Sequence, residues 1–306
     1  MKKYFSFLFQ TRAHRVKRAH MRQVRINDFF HQVRSNTSAM IGVYTILFFL
    51  LVAIIGPFFI HFDVSQTGAS VDDTWLAPSW QHLLGTDHLG RDLLAFLITG
   101  ARSSLAVAFF ATIISMLIGT TIGIVSGYCG GWLDTLLMRI TDFVLCIPWL
   151  PLCMVLASFL GTSLLNIILV IGLTGWAGSA RLVRAQTLSV KEMTYVERTV
   201  SIGSKNWHIM FLHILPNVFP IVFANTVLDA AGAITTETTL SFLGLGDPTR
   251  PSWGMILYYA EANNAVSRGA WWYFLPAGIC VILVVLGFTL MGYAFDEILN
   301  PKLKER

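Results

Sequence analysis

The sequence predicts an all-α integral membrane protein with six transmembrane helices, and two observations carry that prediction: an apolar composition and the spacing of the charges. Of 306 residues, 55% are hydrophobic and 13% are charged, with a mean hydropathy of +0.63. That is too apolar for a water-soluble domain of this length, so lipid is the solvent the chain suits. No Asp, Glu, Lys or Arg interrupts 35–62, 103–133, 143–180, 206–228 or 269–295. A hydrocarbon core of about 30 Å needs about 20 helical residues at about 1.5 Å each. The windows accommodate helices near 38–60, 103–126, 143–160, 163–180, 218–240 and 272–295. The long window 143–180 holds two, as a hairpin turning at Gly161-Thr162-Ser163.

Orientation follows from the basic residues. The first 37 residues carry nine Lys/Arg and one Asp, whereas 61–100 carries one Arg and five Asp. The N-terminus is therefore expected in the cytoplasm and the first loop outside. Six crossings return the C-terminus inside and put 181–216 inside too, where five basic residues stand against two acidic ones. The expected organisation is a basic arm (1–37), a first membrane helix (38–60), an outer loop (61–102), a core membrane domain (103–295) containing the inner loop 181–216, and a tail (296–306). The first apolar run is long and lies behind an extended basic arm, so it reads as an uncleaved anchor. The arm reads as a topology determinant on the anionic inner leaflet, with no nucleic-acid partner expected.

Nothing catalytic is visible. There is no GxxxxGK[ST] phosphate loop, no HExxH, and no nucleophile with a base at a readable spacing. The four cysteines form no CxxC pair and the eight histidines no i, i+4 pair, so no metal or cofactor is expected in this chain.

Three segments point to what the helices are for. Gly119, Gly123 and Gly127 line one face of the second span, where small residues let two helix backbones approach closely. Asn225, Asp229, Gly232, Thr236 and Thr239 step by 4, 3, 4 and 3 along the fifth span and share a stripe roughly 80° wide. Asp229 falls near the bilayer midplane, where an ionised group is costly and is usually paired or wetted. Either the stripe faces a water-accessible pathway, or Asp229 makes an interhelical contact, neutral or paired to a neighbour such as Arg139. Glu237 points elsewhere on the wheel and reads as a packing or gating residue. Pro148 and Pro151 suggest a bend beside a cavity.

The stretch "YVERTVSIGSKNWHIMFLHILPN" (195–217) is a polar interruption in an apolar chain. Val196, Val200, Gly203, Trp207, Met210 and Ile214 recur at heptad-like spacing, with Glu197, Ser201, Lys205 and His208 on the other side. Gly203 permits a bend, so two short helices at about a right angle are expected, the second limited by Pro216. Such an elbow suits a groove on another protein, or equally a lipid surface.

These residues resemble the EAA loop of binding-protein-dependent ABC importer permeases. Glu197, Gly203, Leu215 and Pro216 stand at the matching positions, while Arg198 and Thr199 replace the two alanines and His213 the usual Ile. "LGTDHLGRD" (84–92), "ETTLSFLGLGDPTRPSWGMIL" (237–257) and the tail "FDEILNPKL" resemble the C-type subunit of oligopeptide, dipeptide and nickel permeases. The resemblance covers about 82–303 and implies a type I importer (MetI-like) core of five helices. It also implies partners: a homologous B-type permease, two ATPases that bind the ATP and Mg, an extracytoplasmic binding protein, and the bilayer of a bacterial inner membrane. Tyr195, Val196, Glu197, Arg198, Thr199, Gly203, Leu215 and Pro216 would couple to an ATPase through residues 194–204. Gly85, Thr86, Asp87, Gly90, Arg91, Asp92 and Trp253 would form the outer face that docks the binding protein. Asn225, Asp229, Gly232, Thr236 and Thr239 would line the pathway. Peptides are the expected cargo, with a nickel chelate or oligosaccharide as the alternative. A secondary transporter would need an internal repeat and a second midplane acid, and an intramembrane enzyme a nucleophile and base; none is seen.

Overall fold

The structure, a computed structural model, describes residues 31–60 and 73–299. The arm up to residue 30, the loop at 61–72 and the tail from 300 lie outside the described residues, as do the expectations that fall on them. Among the described residues every named element is helical. Five helices are long and apolar enough to cross a membrane, and six crossings result if one sharply bent pair counts as a span.

Helix α1 (Thr37–Phe59) starts at Asn36, whose side-chain oxygen accepts the Ala39 N–H at 3.0 Å. Helix α2 (Leu93–Cys129) begins ten residues before the expected 103. Its start is set by Asp92, which accepts the Ala95 N–H at 2.9 Å and satisfies a donor the helix cannot. Arg102, which ended the charge-free window, stands on the exposed side of α2 and does not interrupt it.

The expected 143–160 span is two elements. Helix α3 (Gly131–Cys146) and helix α4 (Trp149–Leu160) meet at 87°. Pro148 lacks an N–H and pushes Ile147 into extended backbone, so the chain cannot continue straight. The hairpin turn falls where expected, with Gly161 at φ +86° between α4 and helix α5 (Leu164–Thr174). Helix α6 (Trp176–Lys191) follows across Gly175, and the two form one 28-residue apolar stretch. It extends past the expected 180 because its arginines are paired on α3: Arg184 grips Asp134 at 2.6 and 2.7 Å, and Arg181 reaches Asp142 at 2.5 Å.

A short helix, α7 (Thr194–Ser201), precedes a 40-residue run built from α8 (Asn206–Ile209), a π-helical turn (Met210–Ile214), α9 (Leu215–Leu240) and a second π turn (Ser241–Leu245). Pro216 therefore does not end the second arm of the elbow, contrary to the sequence expectation. It sits in the first turn of α9, and the wide turn just before it absorbs the carbonyl that the proline cannot bond. Helix α10 (Trp253–Ala262) is short, and α11 (Trp271–Leu299) closes the described chain.

Helix α2 is the centre of the bundle, packed on α6, α5 and α9, while α1 lies to one side against α11 and α2. The glycine face of α2 meets α6 as the spacing predicts. A Cβ on Gly119 would come within 2.9 Å of the Trp176 carbonyl, and one on Gly127 within 2.8 Å of the Thr187 Cβ. The close approach lets two backbones make dispersion contacts that lipid does not offer.

Candidate functional site: an elbow, a cavity and a buried loop

The elbow is anchored at one side chain. Val196 is fully buried in α7 and packs into a cluster with Ile209, Met210, Ile214 and Val218, joined by Ile124 of α2 and Val183 and Val190 of α6. Moving a valine side chain out of water contributes about 1.5–3 kcal/mol toward holding the helix there. Gly203 ends α7 at φ +77°, with the Gly203 N–H on the Val200 carbonyl and the Ser204 N–H on that of Thr199. The Tyr128 hydroxyl donates to Asn206 at 3.2 Å, and Lys191 Nζ donates to the Tyr128 carbonyl at 2.8 Å. The elbow is thus tied to the ends of α2 and α6.

The rest of α7 faces outward. Tyr195, Glu197 and Arg198 are exposed, Thr199 is half-buried, and Val200 and Ile202 are 51% and 80% exposed. Val200 and Trp207, placed with the buried set by heptad spacing, stand in the open; the turn at Gly203 resets the helical phase ahead of Trp207, while Val200, in the same helix as Val196, lies outside the buried cluster. Leu215 is half-buried and Pro216 exposed at the start of α9.

At mid-bundle a cavity of about 440 Å³ opens between α2, α3, α4, α5, α6 and α9. Asp229 and Gly232 line it, together with Thr112, Ser115 and Thr174; Pro148 and Trp149 form part of its wall. Asp229 is not paired with Arg139. Its Oδ2 accepts the Ser179 hydroxyl and the Asn225 amide, both at 2.9 Å, and Asn225 also donates to Ser179 at 3.0 Å. The expected stripe divides here. Thr236 is buried, and neither it nor Thr239 nor Asn225 lines the cavity; the Thr239 hydroxyl returns to the Thr235 carbonyl. Pro151 is also off the wall. Ser179 and the hydroxyls on α2 and α5 carry no readable spacing, and their convergence appears only in the fold.

Glu237 is fully buried. Its Oε2 accepts the Ser104 hydroxyl at 3.2 Å and its Oε1 that of Ser241 at 2.8 Å, while Ser104 accepts the Trp253 N–H at 3.3 Å. This carboxyl joins α2, α9 and α10.

The far end of the bundle is built around residues 84–92. Asp87 is fully buried, accepts the Leu89 and Arg91 N–H groups at 2.8 Å, and pairs with Arg91 Nε at 2.6 Å. The Thr86 hydroxyl bridges the Asp73 carbonyl and the Leu76 N–H. Gly85 and Gly90 adopt φ +71° and +77° so that the loop can fold on itself. Trp253 is fully buried and donates to the Leu97 carbonyl at 3.0 Å. Thr86, Asp87, Arg91 and Trp253 therefore spend their side chains inside the chain, which corrects the expectation that they present a docking face. Asp92 caps α2 and holds His82 Nδ1 at 2.8 Å. Across the same end, Asp247 takes the Leu164 N–H at 3.1 Å. Burial works to raise its pKa, but hydrogen bonds from Thr249 and Leu164 outweigh that and hold the carboxyl below its usual range.

His88 stacks on Tyr273 and bonds its hydroxyl at 2.8 Å. Burial pushes the imidazole below its usual value, Arg91 adds to that, and Asp87 opposes it. With the closed-loop pKa below about 6.5, the opened loop takes up a proton that the closed loop refuses, so closure weakens as pH falls through that value. Protection of the 84–92 amides, taken as exchange corrected for its intrinsic base-catalysed rate, is expected to fall between about pH 7.5 and 5.5, and His88→Gln is expected to remove most of that dependence.

A helical membrane bundle with a central, mainly apolar cavity that carries Asp229 and three hydroxyls, and an anchored elbow with an exposed face, has the construction of a membrane-embedded transport subunit. The chain belongs to the family of inner-membrane components of binding-protein-dependent transport systems, whose description matches residues 119–305. Residues 25–78 match the N-terminal transmembrane domain of oligopeptide transport permease C. It is 35% identical to a dipeptide transport system permease protein DppC of Alkalihalophilus pseudofirmus, over 90% of each chain. It is 36% identical to the oligopeptide transport system permease protein OppC of Bacillus subtilis, over 91% of this chain and 90% of that one. The fold is also that of a subunit of the MetNI methionine ABC transporter in an inward-facing form, at TM-score 0.54 and 16% identity, covering 68% of this chain and 97% of that one.

Proposed function

We propose that the chain is one of two homologous permease subunits of an ATP-driven importer that receives peptides from an extracytoplasmic binding protein and moves them by alternating access. Both termini and the elbow lie in the cytoplasm, and the 73–92 and 246–270 loops face outside. The chain itself is non-catalytic; two ATPase subunits bind and hydrolyse the ATP. The single observation that carries the reading is the elbow: one buried valine fixes α7 to the bundle while Tyr195, Glu197, Arg198, Val200 and Ile202 remain open. Peptides are favoured by the likeness to dipeptide and oligopeptide permeases over nearly the whole chain.

In this mechanism α7 seats in a cleft of one ATPase, and ATP-driven closure of the two ATPases rocks the permeases. Moving a two-state equilibrium from 1:99 to 99:1 needs about 5.5 kcal/mol of differential binding. An exposed pair made by Glu197 is worth about 0–1 kcal/mol, so nucleotide binding supplies the energy and α7 transmits it through packing. The outer surface that meets the binding protein is the exposed part of the loop end, held in shape by the buried Thr86, Asp87, Arg91 and Trp253.

A cysteine at Ile202, the most open apolar position on the elbow, tests the reading. In the purified complex it is expected to cross-link to an ATPase subunit, with a yield that changes when nucleotide is added. A cross-link only to lipid, or labelling by an impermeant reagent from the cell exterior, would overturn it.

A further inference from the structure

The cavity wall contains one acidic group, held by two hydrogen-bond donors and, among the described residues, paired with no cation. Asn225 donates to both Ser179 and Asp229. With its oxygen engaged by that amide, the Ser179 hydroxyl is turned to donate to Asp229. Both donations converge on Oδ2, so the two neighbours orient the carboxyl as an acceptor. Among the described residues no Lys, Arg or His forms an ion pair with it, and no hydrogen bond to Oδ1 is made. The remaining polar groups on the wall are the hydroxyls of Thr112, Ser115 and Thr174, and the Thr174 hydroxyl is occupied by its own helix and by Trp149 Nε1 at 2.9 Å. A carboxylate with a pre-set orientation, a free oxygen and a low-dielectric surround attracts a positive group more strongly than it would in water. Gly232, one turn along on α9, and Gly178, beside Ser179, have nothing within 4 Å of an added Cβ. The wall on either side of the carboxyl is therefore bare backbone that a cargo can approach.

We infer that Asp229 is a cation-selecting point in the pathway, where the carboxylate meets the ammonium or guanidinium groups of passing cargo: a peptide's α-amino terminus first, and its Lys or Arg side chains. This rests on the reading of the cavity as the pathway. A chain of this kind favours cargo with a free amine over an acidic or amine-blocked one of the same size, whatever the binding protein delivers.

The test uses the full complex in proteoliposomes, in a background with Cys129, Cys146, Cys153 and Cys280 replaced by serine or alanine. Cysteine is placed at Gly178 or Gly232, with residue 229 either Asp or Asn. Rates of modification by a trimethylammonium-bearing and a sulfonate-bearing methanethiosulfonate of similar size are compared. With Asp229 present, the cationic reagent is expected to be favoured, and Asp229→Asn is expected to lower the cation-to-anion ratio by about tenfold. In parallel, uptake is measured for equal-length peptides bearing an added Lys, no charge or an added Glu, each variant referred to the Asp229 protein on the same peptide so that the binding protein's preference cancels. Asp229→Asn is expected to slow the Lys-bearing peptide most and the Glu-bearing peptide least. Labelling at both positions with an unchanged ratio and an equal effect on all three peptides would overturn the inference while leaving the cavity a pathway. No labelling at either position under turnover would overturn the pathway reading itself.

Discussion

Gly203→Val is expected to leave the chain in the membrane and to abolish cargo-stimulated ATP hydrolysis, with uptake reduced by more than about tenfold. The argument starts from the backbone. Gly203 sits at φ +77°, where an L-residue costs roughly 1–2 kcal/mol and a β-branched one is a true outlier. An added Cβ meets nothing within 4 Å in the chain itself. The substitution therefore does not clash with the bundle; it resets the turn that aims α7 relative to α8. The anchor at Val196 stays intact, so insertion and the folded core are expected to survive, and the loss is expected to fall on the contact proposed between α7 and an ATPase. Gly203→Asn, whose short side chain tolerates the left-handed region, is expected to retain most of the coupling. Measurement of uptake, ATPase activity and ATPase co-purification for both variants checks this. Normal stimulated hydrolysis in the valine variant would remove the elbow from the mechanism.

Gly123→Leu is expected to deplete the folded protein from the membrane. A Cβ on Gly123 already comes within 2.6 Å of the Val183 Cβ and 2.7 Å of the Ala180 carbonyl. Neither neighbour is the far end of a flexible side chain, so α2 and α6 would have to separate. Even Gly123→Ala forces that shift, and overpacking of this kind typically costs about 1–3 kcal/mol. Helix α2 contacts most of the bundle, and a displacement there propagates. Thermal unfolding in detergent is the measurement: alanine at 123 lowers the midpoint by several degrees and leucine prevents recovery of monodisperse protein. Gly178→Ala, with open space at its Cβ, is the control and is expected to be silent. Equal midpoints for both alanine variants would show that the α2–α6 approach is looser than described.

Much of this molecule is legible in its sequence because lipid imposes a strong rule. Runs without charge become helices, and the hairpin at Gly161 and the small-residue face of α2 follow from local chemistry. The misplaced boundaries arise where a charge finds a partner or solvent that a linear reading cannot see. Arg102 stands on the open side of α2, and Arg181 and Arg184 are matched by aspartates 39 and 50 residues away. The fate of Pro216 was unreadable because a π turn, which has no sequence signature, takes up its missing hydrogen bond. In the candidate site, Gly203 and Asp229 were visible as a turn former and a midplane acid. Ser179, Ser104 and Thr174 were not, since a serine or threonine in an apolar helix most often bonds its own backbone, and only tertiary packing turns Ser179 and Ser104 toward Asp229 and Glu237. The 84–92 loop misled differently. Its polar residues looked like a surface for a partner, yet they satisfy one another inside the loop.

The run from Asn206 to Leu245 begins beside the elbow and ends beside the Glu237 cluster. At about 1.5 Å per residue the part of it before the break at Gly244 (φ +83°) measures about 57 Å, nearly twice the hydrocarbon thickness. A strut of that length pivoting near one end by only about 5° sweeps its other end through about 5 Å, one helical turn. On the proposed reading, small motions of a motor at one membrane face would arrive enlarged at the other.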